Sequence, residues 1–80
     1  MKIYSIYDIV SGEYGNPFCA INHEDCKRKL SYHQQGNPFA KDLKVFLVGE
    51  FNVDSGVIMP ISCPEFMFNV ADLLNNGDLE

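Results

Sequence analysis

The sequence predicts an α+β domain: one small β-α-β-β unit, a three-stranded sheet under one covering helix, closed by a short C-terminal helical segment. Three observations carry that expectation. Residues 2–10 alternate like a strand, with Ile3, Ser5, Tyr7 and Ile9 on one face and Lys2, Tyr4, Ile6 and Asp8 on the other. Residues 23–34 follow Asn22, a good helix cap, and stop before Gly36. Leu43 to Phe51 is the strongest strand pattern in the chain, and a turn and a return strand follow it. With 80 residues, 46% of them hydrophobic, the chain reads as a single domain over 1–80. A domain of this size buries only about 60–65% of its unfolded surface, so the core is expected to be thin.

The elements follow in order. After the first strand, Ser11-Gly12-Glu13-Tyr14-Gly15-Asn16-Pro17 is a run of turn formers and reads as a loop, with Phe18 to Ile21 an apolar link beneath it. In the helix, Glu24 and Asp25 complement the positive end. At helical spacing His23, Cys26, Leu30 and His33 share a stripe expected to face the sheet, while Glu24, Lys27, Arg28 and Ser31 turn away. Gln35 to Lys41 is a second loop. Its Gly-Asn-Pro-Phe (36–39) repeats residues 15–18, and each copy reads as a turn with an aromatic anchor.

In the second strand Leu43, Val45, Leu47 and Phe51 share one face, and Phe46 and Val48 the other. Apolar residues on both sides predict a central strand covered on both. Asn52-Val53-Asp54-Ser55-Gly56 is a hairpin turn in which Gly56 can take a positive φ. Pro60 confines the return strand to an edge or ends it, giving a hairpin over about 43–60. The tail reads two ways. Ser62 and Glu65 form a capping box ahead of helically spaced Phe66, Val70, Leu73 and Leu74, or Phe66-Met67-Phe68 is a short strand before a helical turn. A helical segment over about 69–75 is expected. The crossover rule then makes the strands at 2–10 and 43–51 parallel. The second apolar face is left to the tail or to another copy of the chain, as a homodimer.

The net charge of −5 conceals an asymmetry. Residues 23–44 hold five cations against three acids, whereas residues 45–80 hold six acids and no Lys or Arg. Such a chain can present a local basic patch, although it lacks the overall basic charge usual in nucleic-acid binders. No run approaches the roughly 20 apolar residues of a membrane span, so no membrane role is expected. The alternating, acid-containing start is unlike a signal peptide. Three cysteines at no framework spacing fit reduced thiols in a cytoplasm.

Candidate chemistry is sparse. Cys19, His23, Cys26 and His33 have ligand chemistry for zinc but lack paired knuckle spacing, so no metal or other cofactor is expected. A Cys–His nucleophile there would need an oxyanion hole and an orienting group that no motif supplies, and no catalytic residue is assigned. Phosphate-cradling glycine motifs are absent from the sequence. Hence no enzyme is expected. The one basic and aromatic cluster is Lys27, Arg28 and Lys29 with Tyr32 and His33, which Lys41 and Lys44 extend if the following loop folds back. Cations neutralise phosphates and exposed aromatics stack unpaired bases, so single-stranded DNA is the natural ligand for these seven residues. A plain solvated helix face is the competing reading. Tyr4, Tyr7, Tyr14, Phe18, Phe46 and Phe51 read as core.

Taken together, Tyr4-Ser-Ile-Tyr-Asp8, Gly12-Glu-Tyr-Gly-Asn-Pro-Phe18 and Val48-Gly-Glu-Phe51…Asp54-Ser-Gly-Val-Ile58 resemble the small non-structural protein of gokushoviruses, single-stranded DNA microviruses of bacteria. Ala20 and Asn22 match that family's entry to a helix, and Gly49, Glu50, Phe51, Ser55 and Gly56 its hairpin; Asn16 stands where a proline is common. The resemblance covers about residues 3–58. It implies a phage protein of the host cell cytoplasm, absent from the capsid and acting in genome replication or its switch to packaging. It transfers no catalytic residue. Two modes stay open: binding single-stranded DNA, or using the acidic half from Glu50 to Glu80 to engage a phage or host replication protein.

Overall fold

The computed structural model describes residues 1–78. Strand β1, Lys2–Asp8, stops two residues short of Val10 because Asp8 turns the chain. Its carboxylate accepts hydrogen bonds from the amides of Val10 and Ser11, and Gly12, at φ 73°, donates back to the Asp8 carbonyl. Only glycine takes that left-handed conformation without strain. The chain then returns along β1 in two pieces. These are β2, Glu13–Tyr14, opposite Asp8 and Tyr7, and β3, Phe18–Ala20, opposite Tyr4 to Lys2.

This return strand overturns two expectations. Residues 13–20, read as loop and link, are strand except for a break at Gly15-Asn16-Pro17, so the sheet has five strands, not three. They also reverse the chain once more before helix α1, His23–His33. Strand β4, Leu43–Phe51, consequently runs antiparallel to β1, with Tyr4 opposite Leu47 and Asp8 opposite Leu43; the parallel pairing does not occur. The helix instead crosses over from β3 to β4, which flank β1 on opposite sides and run in the same direction.

Strand β5, Ile58–Asn69, pairs antiparallel with β4 and forms the outer edge. It passes through both Pro60 and Pro64, since an edge strand tolerates a missing ladder donor. Between the pairs Gly49–Pro60 and Leu47–Glu65 the register slips, which absorbs the extra residues of β5. Helix α2, Val70–Asp78, follows directly. Of the two readings of the tail, strand through residues 66–68 and then helix is the one adopted.

Both helices pack on one face of the sheet. Tyr4, Val45, Cys26 and Val70 are fully buried there, with Ala20, Leu30 and Ala40 around them and Leu43, Leu47, Phe68 and Leu73 at the margin. Asn22 caps α1 by accepting from the Asp25 amide, and the Ile21 amide donates to the Asp25 carboxylate, so the buried acid is satisfied. The sheet-facing stripe of α1 ends at Leu30; His33, expected to face the sheet, is exposed. Residues 36–39 turn the chain into a 3-10 turn, Ala40–Asp42, that leads into β4.

Candidate nucleic-acid interface

Strand alternation decides what the opposite face presents. Register puts Tyr14 beside Tyr7, Tyr7 beside Lys44, Ser5 beside Phe46, Phe46 beside Phe66 and Lys44 beside Asn69. Directly opposed residues share a face, so all of these point away from the helices. The result is an aromatic row across β2, β1, β4 and β5. Ring centroids are 4.7 Å apart for Tyr14–Tyr7, 6.1 Å for Tyr7–Phe46, 5.5 Å for Tyr14–Phe46 and 5.7 Å for Phe46–Phe66. The last three meet edge to face, the arrangement the ring quadrupoles prefer. Tyr7 and Phe46 are half-buried by their neighbours, while Tyr14 is 47% and Phe66 49% exposed.

Lys44 completes the row. Its ammonium lies 5.4 Å from the Phe66 ring centroid and donates to the Asn69 side-chain carbonyl at 3.1 Å. Among the described residues Lys41 and Lys44 are the Lys and Arg side chains without a carboxylate partner, for Lys2, Lys27, Arg28 and Lys29 each lie within 4.0 Å of one. Lys41 is exposed in the 3-10 turn, at the end of the sheet where Lys44 enters.

The seven residues singled out in the sequence therefore fall into two groups. Lys27, Arg28, Lys29, Tyr32 and His33 lie along α1, on the helix-covered side; Lys44 faces the opposite side, with Lys41 in the 3-10 turn at its end of the sheet. On the helix, Arg28 and Lys29 both bond Asp25, and Lys27 pairs with Glu24 while lying 5.6 Å from the Phe68 ring centroid. The trio thus keeps one net positive charge after its two acids. Tyr32 and His33 are exposed, with rings 5.3 Å apart.

Of the aromatics read as core, Tyr4 and Phe18 are packed there, stacked at 5.9 Å, whereas Tyr7, Tyr14 and Phe46 belong to the row. The signal for the row was the alternation itself. Lys44 and Phe46 interleave with Leu43, Val45 and Leu47, and Tyr7 falls out of step with Tyr4 and Ile6.

The thiols and imidazoles are divided between the surface and the core. Cys19 is exposed and Cys26 is fully buried. Among the described residues no three His, Cys, Asp or Glu side chains converge as metal ligands. Burial pushes the Cys26 thiol up to about 11, with the Asp25 charge adding to the effect, so it is not a thiolate near neutrality. His23 Nδ1 is 2.6 Å from the Tyr4 hydroxyl. Burial also pushes that phenol up to about 12, so the hydroxyl that pairs with the imidazole keeps its proton. The Ile21 amide, and behind it Lys29 and Arg28, hold the Asp25 carboxyl below its usual range.

Comparison with known proteins adds one decisive finding. The family described as Phage ORF5 protein matches residues 1–73. The chain belongs to this family. It is a phage protein, and no described helix is long and apolar enough to cross a membrane. No curated protein and no solved structure matches the chain significantly.

Proposed function

We propose that this phage ORF5-family protein is a non-enzymatic accessory protein of the gokushovirus type that binds single-stranded DNA on the open face of its sheet. The observation that carries this reading is the row Tyr14–Tyr7–Phe46–Phe66 with Lys44 beside it, held by Asn69 and paired with no described carboxylate. Aromatic faces stack unpaired bases, and a nearby ammonium takes the phosphate that joins them. An antiparallel sheet can leave one face to solvent, and on this one Tyr14 and Phe66 keep about half their surface exposed. Binding in the host cytoplasm, during genome replication or its switch to packaging, is where such an activity would act on a single-stranded genome.

The test is a fluorescence anisotropy titration of the full chain with labelled single-stranded DNA across a range of salt. Binding at low salt is expected, with log K falling by about 0.7–1.4 per decade of salt, the slope for one or two neutralised phosphates. Lys44→Ala lowers affinity, whereas joint neutralisation of Lys27, Arg28 and Lys29 has the smaller effect. No binding at low salt overturns the reading.

A protein partner has one observation in its favour. The hairpin joining β4 and β5 carries no charged residue from Ser55 to Pro64 and exposes Val57, Ile58, Met59 and Ile61. A replication protein captured from infected cells in stoichiometric amount, surviving nuclease treatment and lost on replacing Ile58 and Met59 with serine, would support that mode.

A further inference from the structure

We infer that the open face holds a segment of only two or three unpaired nucleotides, its outer bases on Tyr14 and Phe66 and the joining phosphate on Lys44. The inference rests on the single-strand reading and adds which rings take bases and how many. Four rings do not make four platforms here. Phe46 meets Tyr7, Tyr14 and Phe66 at 81°, 75° and 68°, so edges of its neighbours already occupy the middle of the row. Tyr7 and Phe46 are half-buried buttresses, and the free ring surface lies at the two ends. Tyr14 and Phe66 are each within 5.7 Å of Phe46, hence no more than about 11 Å from each other. Stacked DNA, at about 3.4 Å per nucleotide, would need about three steps to cover that distance; a strand splayed between two rings advances further at each step, so one or two of its steps bridge the gap.

Charge sets the same limit. Lys44 is the cation of the row, fixed by the Asn69 side chain, and Lys41 lies beyond it at one end of the sheet. The neighbouring acids Glu13 and Glu65 lie opposite Asp8 and Leu47 and so point to the other face, which leaves the row a single cation of its own. A longer strand would gain no further ion pair there, while the net charge of −5 opposes each added phosphate. A duplex hides its base faces and brings a denser array of phosphates, so it is rejected.

The experiment measures the affinity of the full chain for labelled oligothymidylates of two, three, four and fifteen nucleotides and for a duplex, at low salt. Affinity is expected to rise to three nucleotides and then to level off apart from the statistical gain of extra sites. Tyr14→Ala and Phe66→Ala each lower it about tenfold or more, the loss of one stacked base. Tyr14→Phe, which keeps the ring, retains it, and Tyr32→Ala on the helix leaves it unchanged. Thermal melting of each variant checks that the exposed substitutions leave the fold intact. Affinity that climbs steadily beyond four nucleotides, or that ignores both alanine variants, overturns the two-ring site while leaving the single-strand reading standing. No binding to any oligonucleotide overturns both. A stable dimer in sedimentation that Phe66→Ala dissociates would show a second copy on this face and overturn the proposal.

Discussion

On the helix-covered face of the sheet, aromatic side chains disappear from solvent: Tyr4 is fully buried, stacked on Phe18 and hydrogen-bonded to His23. On the opposite face Tyr14 and Phe66 keep about half their surface in water, although their own rings touch neighbours just as closely. The same residue types therefore do different work a strand's thickness apart. The first face is closed by α1 and α2 and holds the fold together. The second is pre-ordered by ring-on-ring contact but left open, which is what a stacking surface requires.

The largest contrast between the faces is expected in thiol chemistry. Cys19, opposite Ile3 on the open side, and Cys63 on the edge strand are exposed, whereas Cys26 is sealed beneath α1 and held protonated. A maleimide time course on native protein should modify two thiols quickly and Cys26 slower by orders of magnitude, at the rate set by transient unfolding. Fast labelling of all three would mean that the covered face is not covered.

Stability separates the faces next. Tyr4→Ala is expected to cost about 3–5 kcal/mol in urea unfolding, enough to threaten a small domain, through the cavity and the orphaned His23 partner. Phe66→Ala, on the open face, is expected to cost about 1 kcal/mol or less, the value of an exposed aromatic pair. Equal losses would break the comparison.

A smaller effect is expected where β4 and β5 touch. A Cβ on Gly49 would sit 2.8 Å from the Met59 carbonyl oxygen and 3.2 Å from the Pro60 Cα, with backbone on both counts. Gly49→Ala should therefore cost about 1–3 kcal/mol by forcing the strands apart. Its signature is loss of protection in the β4–β5 pairing by hydrogen exchange, with the aromatic row preserved.

The smallest effects come with pH. Asp25 has a depressed pKa, so its contribution is present above the unfolded carboxyl value of about 3.9 and is lost as pH falls through the folded value. Cys26 and Tyr4 have raised values, so their contribution is complete below the unfolded values of 9.0 and 10.0 and is lost as pH rises toward about 11 and about 12. The midpoint of thermal unfolding should fall off on both flanks. Asp25→Asn should flatten the acid flank only.

Much of the covered face is legible in the sequence. The Asn22 cap, the helical pattern after it and the Leu43–Val45–Leu47 alternation all depend on local chemistry that neighbouring residues reveal. The reversal at 13–20 is not, because Gly15, Asn16 and Pro17 break the strand into pieces of two and three residues whose pairing is decided by β1. The aromatic row is hidden in the sequence for a related reason. Lys27, Arg28 and Lys29 stand out as a run, yet Glu24 and Asp25 within one helical turn leave them one net positive charge. Tyr7, Tyr14, Phe46 and Phe66 lie on four strands, and only the registers of β2, β1, β4 and β5 bring them together.

The most direct test of the open face is an amide and aromatic NMR titration of the labelled chain with an oligothymidylate of four nucleotides. Shifts are predicted to concentrate at Tyr7, Tyr14, Lys44, Phe46 and Phe66, with α1 unmoved. Shifts confined to Lys27 through His33, or none at saturating ligand, would contradict it.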